Sequence, residues 1–217
     1  IKADDKKKTY GDDAPTFTAS ADGLVDVDAE SVISCTFTCE GGEETGEYDI
    51  IPSEATIMNG ETNVTANYDI SYANGKLTVS AMTEEIVVSI KGNSNTTVYD
   101  SEEHEVSGYT IVKVSSSLYK VSGDDVDFTF NGTASAARKD VGTTNMELTP
   151  EQFANINPNF EKVTFVIVED GYQAITSARV IVTITGNYKD DVIYDNFVHT
   201  VTGYTVSCEP SMDYTKD

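Results

Sequence analysis

The chain writes one segment three times. Residues 1–13 (IKADDKKKTYGDD), 90–110 (IKGNSNTTVYDSEEHEVSGYT) and 184–205 (ITGNYKDDVIYDNFVHTVTGYT) each set an Ile-led strand ahead of a Tyr with an acidic residue close behind it. Ile1 and Ile90 stand nine residues before Tyr10 and Tyr99, and Ile184 stands ten before Tyr194, so the period is 89 residues and then 95. A period of that length points to similar small domains in a row rather than to one enzyme fold. It divides the chain into a domain at 1–85, a related domain at 86–178 and the incomplete start of a third at 179–217. The expectation is therefore a stretch cut from a longer protein.

Charge narrows the classes further. Lys and Arg number 14 against 37 Asp and Glu, a net charge of −23, and the excess is shared: about −13 over 1–85, −7 over 86–178 and −3 beyond. Such a surface repels nucleic acid and anionic membrane and keeps a crowded array soluble. Disorder does not follow, because 39% hydrophobic residues with 12 Tyr and 8 Phe suffice for small β cores. No apolar run approaches the roughly 18–20 residues that span a bilayer, so no membrane insertion is expected.

Where periodicity is readable, it is two. In EKVTFVIVED, Val163, Phe165 and Ile167 alternate with Thr164, Val166 and Val168. Tyr68, Ile70 and Tyr72 lead into Asn74-Gly75 and Leu77 and Val79 lead out, which predicts a hairpin; Asp170-Gly171 predicts another. The one helical signal is Thr149-Pro150-Glu151-Gln152, a capping box with Pro at the first helical position, good for one or two turns. The fold class is mainly β, with an immunoglobulin-like sandwich as the alternative arrangement. The expected core of the middle domain is Tyr99, Val106, Phe128, Phe130, Phe153, Phe160, Phe165 and Ile167.

No catalytic constellation assembles. Tyr10, Tyr99 and Tyr194, with Gly108 and Gly203, recur at fixed points, and recurrence within one chain favours a requirement of the fold over a sugar-stacking face. His104 and His199 are equivalent positions with no second His or Cys at ligand spacing, and are expected on surface strands. Asp26, Asp28 and Glu30 place three carboxylates close together, a weak calcium candidate, as are Asp124, Asp125 and Asp127, and Asp190 with Asp191. None carries a glycine-centred twelve-residue loop, so solvated acidic loops are the preferred reading. Cys35 and Cys39 would lie about 13 Å apart along a strand. A disulfide needs about 4.4–6.8 Å, so free thiols are expected. No cofactor is implied.

The order of motifs resembles a known family. ADDKKKTYGDDAPTF, GLV at 23–25, TGEYDI at 45–50, ANYDISY at 66–72 and the closing GKLTVSA are similar to the MBG-type repeat of large bacterial surface proteins. VYDSEEHEVSGYT, DFTFNGTASA, DVGTTNMELTPEQF, NPNF and VTFVIVEDG resemble its sister repeat, although GTTNMEL departs from the aromatic-centred Gly46-Glu47-Tyr48 of the first unit. The resemblance implies tandem β-grasp-like domains with at most one short helix each, related to mucin-binding repeats, extracellular on a bacterial surface or secreted, and without catalytic residues. It implies a stalk or spacer in an adhesin-like array, with a module binding host or microbial surface glycan or mucin as the alternative. Some forty residues of β structure cannot bury enough surface alone, so the third segment is expected to be poorly ordered or completed by another chain, with self-association as one route.

Overall fold

The computed structural model describes residues 1–29 and 31–209. Alternating, β-branched sequence broken by Gly, Asn and Asp clusters gives short strands. In chain order the first are β1 (Lys2–Ala3), β2 (Lys6–Thr9), β3 (Ala19–Ser20), β4 (Val32–Thr38), β5 (Gly46–Asn59), β6 (Thr62–Asn63) and β7 (Gly75–Ser80). Next come β8 (Ile86–Gly92), β9 (Ser94–Val98), β10 (His104–Ser107), β11 (Tyr109–Val114), β12 (Phe128–Phe130) and β13 (Ser135–Arg138). The last are β14 (Gly142–Asn145), β15 (Phe153–Asn155), β16 (Val163–Glu169), β17 (Tyr172–Thr176), β18 (Ile181–Gly186) and β19 (Tyr204–Glu209). Helical structure among the described residues is limited to three single 3-10 turns, at Asp26–Asp28, Thr65–Asn67 and Pro150–Gln152. The chain is mainly β. Two compact bodies form: one from Ile1–Asn93, Ser107–Ala134 and Met146–Gly171, the other from Ser94–Val106, Ser135–Asn145 and the described residues from Tyr172 on.

In the first body a sheet runs β2-β7-β5-β4, with β2 parallel to β7 and the other pairs antiparallel. Ala3, Ile50, Leu77 and Val79 form its buried seam, with Phe17, Phe37 and Tyr48 packed around them. The long β5 holds a bulge where the register against β4 shifts between Ser34 and Thr36, and Glu54 takes φ 50° there. The Ala55 amide turns to the hydroxyl of Tyr72 instead of to a strand, at 2.9 Å.

That bond helps explain a departure from the expected hairpin. Residues 68–72 form no strand, and β7 pairs with β2 and β5. Their tyrosines serve as hydrogen-bonding posts: Tyr68 donates to Asp28 at 2.7 Å while Tyr72 receives Ala55. Gly75 is present because backbone passes close by, since a Cβ there would lie 2.6 Å from the Ala3 carbonyl oxygen.

A second sheet in the same body runs β11-β8-β16, with β8 antiparallel to β11 and parallel to β16, and β12 pairs with β15 nearby. Ile86, Val88, Ile90, Tyr119, Phe128, Phe153, Phe160 and Phe165 form its core. Phe130 and Ile167 are half-buried against that cluster, as expected of their strands. Tyr99 and Val106 are not in it: both are half-buried in the other body. Asp170-Gly171 makes no hairpin either, because β16 lies beside β8 and β17 beside β9 and β14. The Asp170 carboxylate instead accepts the amides of Glu147 and Leu148, both at 3.1 Å.

The second body contains β14-β17-β9, the pair β10-β13 and the pair β18-β19. Gln173 is buried between β9 and β14, where it accepts from Asn95 at 3.1 Å and donates to the Ala174 carbonyl at 3.1 Å. Among the described residues β18 and β19 pair only with each other.

Candidate functional site

The recurrent Tyr marks a turn, and the turns after Tyr99 and Tyr194 are built alike while the one after Tyr10 is built differently. In the first, the Thr9 amide donates to the Asp12 carboxylate at 3.0 Å across Gly11, which sits at φ 87°. In the second, Asp100 accepts the Glu102 amide at 2.9 Å, Ser101 takes φ 72°, and His104 Nε2 lies 3.0 Å from each Asp100 oxygen. In the third, Asp195 accepts the Phe197 amide at 3.0 Å, Asn196 takes φ 67°, and His199 Nε2 lies 2.8 Å from Asp195. An Asp side chain receiving the amide two residues on is the ordinary device for such a turn. The Glu102 amide, and then His104, hold the Asp100 carboxyl below the usual carboxylate range. Each histidine thus closes a turn and stands on the surface.

Tyr10 has a further partner. Its ring meets Phe160 edge-on, with centroids 5.3 Å apart, and Met82 bridges to Phe160 by backbone, Met82 N to Asn159 O at 2.8 Å and Glu161 N to Met82 O at 3.0 Å. Asn159, 1% exposed, accepts the Thr45 amide at 2.8 Å and donates its side-chain amide to Glu44. A ladder of asparagines presents it: Asn157 N donates to Asn155 Oδ1 at 3.1 Å, and Asn159 N to Asn157 Oδ1 at 2.9 Å. A cleft of about 480 Å³ opens beside this junction, lined by Tyr10, Asp12, Asp13, Glu43, Glu44 and Leu118 among others. Burial, then Glu44, pushes the Tyr10 hydroxyl above its ordinary pKa. Asn159 and Tyr119 were not singled out from the sequence. The signal was present as Asn at every second position of NINPN, the spacing of side-chain-closed turns.

The carboxylates singled out for calcium are dispersed in role. Asp28 is buried, and its two oxygens accept Asn59 Nδ2 and the Tyr68 hydroxyl, each at 2.7 Å, which raises the Tyr68 pKa. Asp26 is exposed, and Glu30 lies outside the described residues. Asp127 is buried as well, holding the Lys120 amide at 2.6 Å and the Asn157 side chain at 2.8 Å, while its carbonyl accepts the Tyr119 hydroxyl at 3.0 Å. Burial raises the Tyr119 pKa strongly. Among the described residues no three His, Cys, Asp or Glu side chains converge as metal ligands. Cys35, Cys39 and Cys208 are free thiols, and burial raises the first two in pKa.

One further concavity is of ligand size. A groove of about 650 Å³ runs between β11 and residues 121–130, with Tyr109, Ile111, Val121, Val126, Phe128 and Phe130 on its walls. Tyr109 packs edge-on against Phe130 at 5.0 Å and Phe153 at 5.1 Å, so its ring is braced.

Among the described residues no helix is long and apolar enough to cross a membrane. Comparison with curated proteins and with solved structures finds no match. Residues 1–78, the span that holds Tyr10-Gly11-Asp12 and all of β1 to β6, match the family model of the MBG domain, YGX type, so this part of the chain is similar to that domain.

Proposed function

We propose that the chain is a non-catalytic stalk or spacer segment of a bacterial extracellular surface protein, formed of MBG-type repeats in tandem within an adhesin-like array. The observation that carries this reading is the junction of Tyr10, Met82 and Asn159 with Phe160. The link between residues 1–81 and the sheet that starts at Ile86 is not a free tether: its Met82 is hydrogen-bonded on both sides, and a buried Asn ties Glu44 and Thr45 to the NPNF turn. A spacer that must hold reach benefits from joints of this kind, because a fixed joint loses less extension to bending than a flexible one. The acidic surface supports an extracellular, non-nucleic-acid setting.

Nuclear spin relaxation on the full chain tests the joint. Residues 1–81 should tumble with β8 and β16 as one body. Asn159→Ala, which strands the Thr45 amide, should cost about 1–3 kcal/mol and loosen that coupling. Independent tumbling in the unsubstituted chain would remove the spacer reading's main support.

The groove beside β11 favours a second reading, a module that binds surface glycan or mucin itself. A braced Tyr and flanking hydroxyls suit a sugar face. A glycan array on the full chain, repeated with Ser122→Trp to fill the groove, decides it. Reproducible binding lost in that variant supports the module, and an empty array leaves the spacer.

A further inference from the structure

The stretch Cys35-Thr36-Phe37-Thr38-Cys39 reads the same in both directions. It runs along β4, the last strand of the β2-β7-β5-β4 sheet, and among the described residues β4 pairs with β5 and with no other strand. The edge is internal to the chain: β5 follows it, and β3 before it pairs with β1 instead.

Exposed edges are ordinarily guarded by Lys, by Pro or by a bulge. From Ser31 to Cys39 there is neither charge nor Pro, in a chain of which 24% is charged. The bulge in this sheet guards nothing on β4, because its extra residue belongs to β5: Ser34 faces Thr56 and Thr36 faces Ser53. β4 therefore alternates without a break. Cys35 and Phe37 are half-buried, Ser34, Thr36 and Thr38 are exposed, and Phe37 and Cys39 pack against the buried seam.

We propose that β4 is a self-pairing edge, at which a second copy of the chain docks through the same strand, antiparallel, about a two-fold axis at Phe37. The palindrome selects that register. It sets Phe37 against Phe37, Thr36 against Thr38 of the second copy, and Cys35 against Cys39 of the second copy, so like meets like at each of these positions. Inward residues face inward residues, and the two sheets continue as one with their buried faces on the same side. Ser34 then faces Glu40, no like charges stand opposed, and Gly41 and Gly42, at φ 94° and 95°, end the run. Centring the pair on Cys35 instead would set Phe37 against Ile33 and Cys39 against Ser31, which loses the match.

The cysteines make the register readable. Along one strand they stand about 13 Å apart, too far to bond, whereas residues opposed in an antiparallel pair have Cα atoms about 4.5–5.5 Å apart, within the range of a disulfide. With glutathione disulfide as oxidant, each opposed pair of thiols gives up two protons and two electrons, one sulfur–sulfur bond forms between the copies, and two glutathiones leave. The pairing itself needs no oxidation. A net charge of −23 on each copy opposes it, so salt should strengthen it. This self-pairing is independent of the stalk role.

The test uses the full chain with Cys208→Ser, which removes the third thiol. Under reducing conditions, sedimentation velocity should show a monomer–dimer equilibrium that strengthens about threefold or more between about 0.05 and about 0.5 M salt. Hydrogen exchange should show protection of residues 34–40 that grows with concentration. Glutathione disulfide should then link the dimer. With Cys35→Ser alone or Cys39→Ser alone the remaining thiol faces a serine, so neither variant should link to itself, while an equimolar mixture of the two should link about tenfold faster or more. A strict monomer, or concentration-dependent protection elsewhere, overturns the proposal. So does either single variant linking to itself as fast as the mixture, which would mean random collision or a pair centred on another residue.

Discussion

The hairpins β8–β11 and β18–β19 pair alike from Gly92 with Tyr109 and Gly186 with Tyr204 to Ile90 with Ile111 and Ile184 with Val206, and Asn93 and Asn187 donate alike to the carbonyls of Gly108 and Gly203, yet Ile90 is 0% exposed and its counterpart Ile184 is 66% exposed. Local sequence specifies how a hairpin pairs, through its glycine, asparagine and alternation. Burial comes from elsewhere in the chain. Ile90 is covered because Phe128, Phe153, Phe160 and Phe165 are brought to it by segments nearly forty to seventy-five residues downstream, and Ile184 has no such partners among the described residues. A hairpin of two strands alone is marginal in water, so the comparison separates what encodes a strand pair from what stabilises it.

The largest effects should fall on the covered member. Phe165→Ala removes a ring within 5.6 Å of Phe153 and 5.7 Å of Phe128, at an expected cost of about 3–5 kcal/mol in urea unfolding followed by tyrosine fluorescence. Ile90→Ala should cost about 2–5 kcal/mol, whereas Ile184→Ala should stay within about 0.5 kcal/mol. Equal losses at Ile90 and Ile184 would break the comparison by showing that the second hairpin is already covered.

The same distinction explains what was legible in the sequence. The alternation of Val163, Phe165 and Ile167 and the capping box at Thr149 with its 3.0 Å bond to Gln152 are local and were readable. Ile86, Val88 and Ile90 as the deepest residues were not, because a strand parallel to β16 from some seventy-five residues away leaves no trace in either segment alone. Asn74-Gly75 misled for a related reason. Its turn signal is real as chemistry, but the neighbouring tyrosines are drawn off to a bulge amide and a buried Asp, and the glycine answers to the backbone of β1. The junction residue Asn159 was hidden because its partners, Glu44 and Thr45, lie 115 and 114 residues earlier in the chain.

A smaller effect sharpens the comparison at its turns. Gly108 and Gly203 sit at φ 86° and 94°, where a side chain is strained. Gly108→Ala should cost about 1–2 kcal/mol of global stability, because the strand it starts belongs to the core. Gly203→Ala should leave the global midpoint in place and abolish cross-strand nuclear Overhauser contacts between β18 and β19. A matching fall in the midpoint would mean that the second hairpin folds with the rest.

The smallest effect is electrostatic. The Glu102 amide and His104 depress the Asp100 pKa in the folded chain, so ionised Asp100 favours the fold above the unfolded value of about 3.9. That contribution fades as pH falls through the depressed folded value. Carboxyl chemical shifts followed by pH titration should show Asp100 below the ordinary range, and His104→Ala should move it part of the way back, the amide keeping the remainder. The Asp-His pair appears in the covered and the uncovered hairpin alike, so it cannot owe its presence to the core. If His104→Ala leaves the Asp100 titration where it was, the ring closes the turn by shape alone, and the recurrence of His104 and His199 reflects the geometry of the turn rather than its charge.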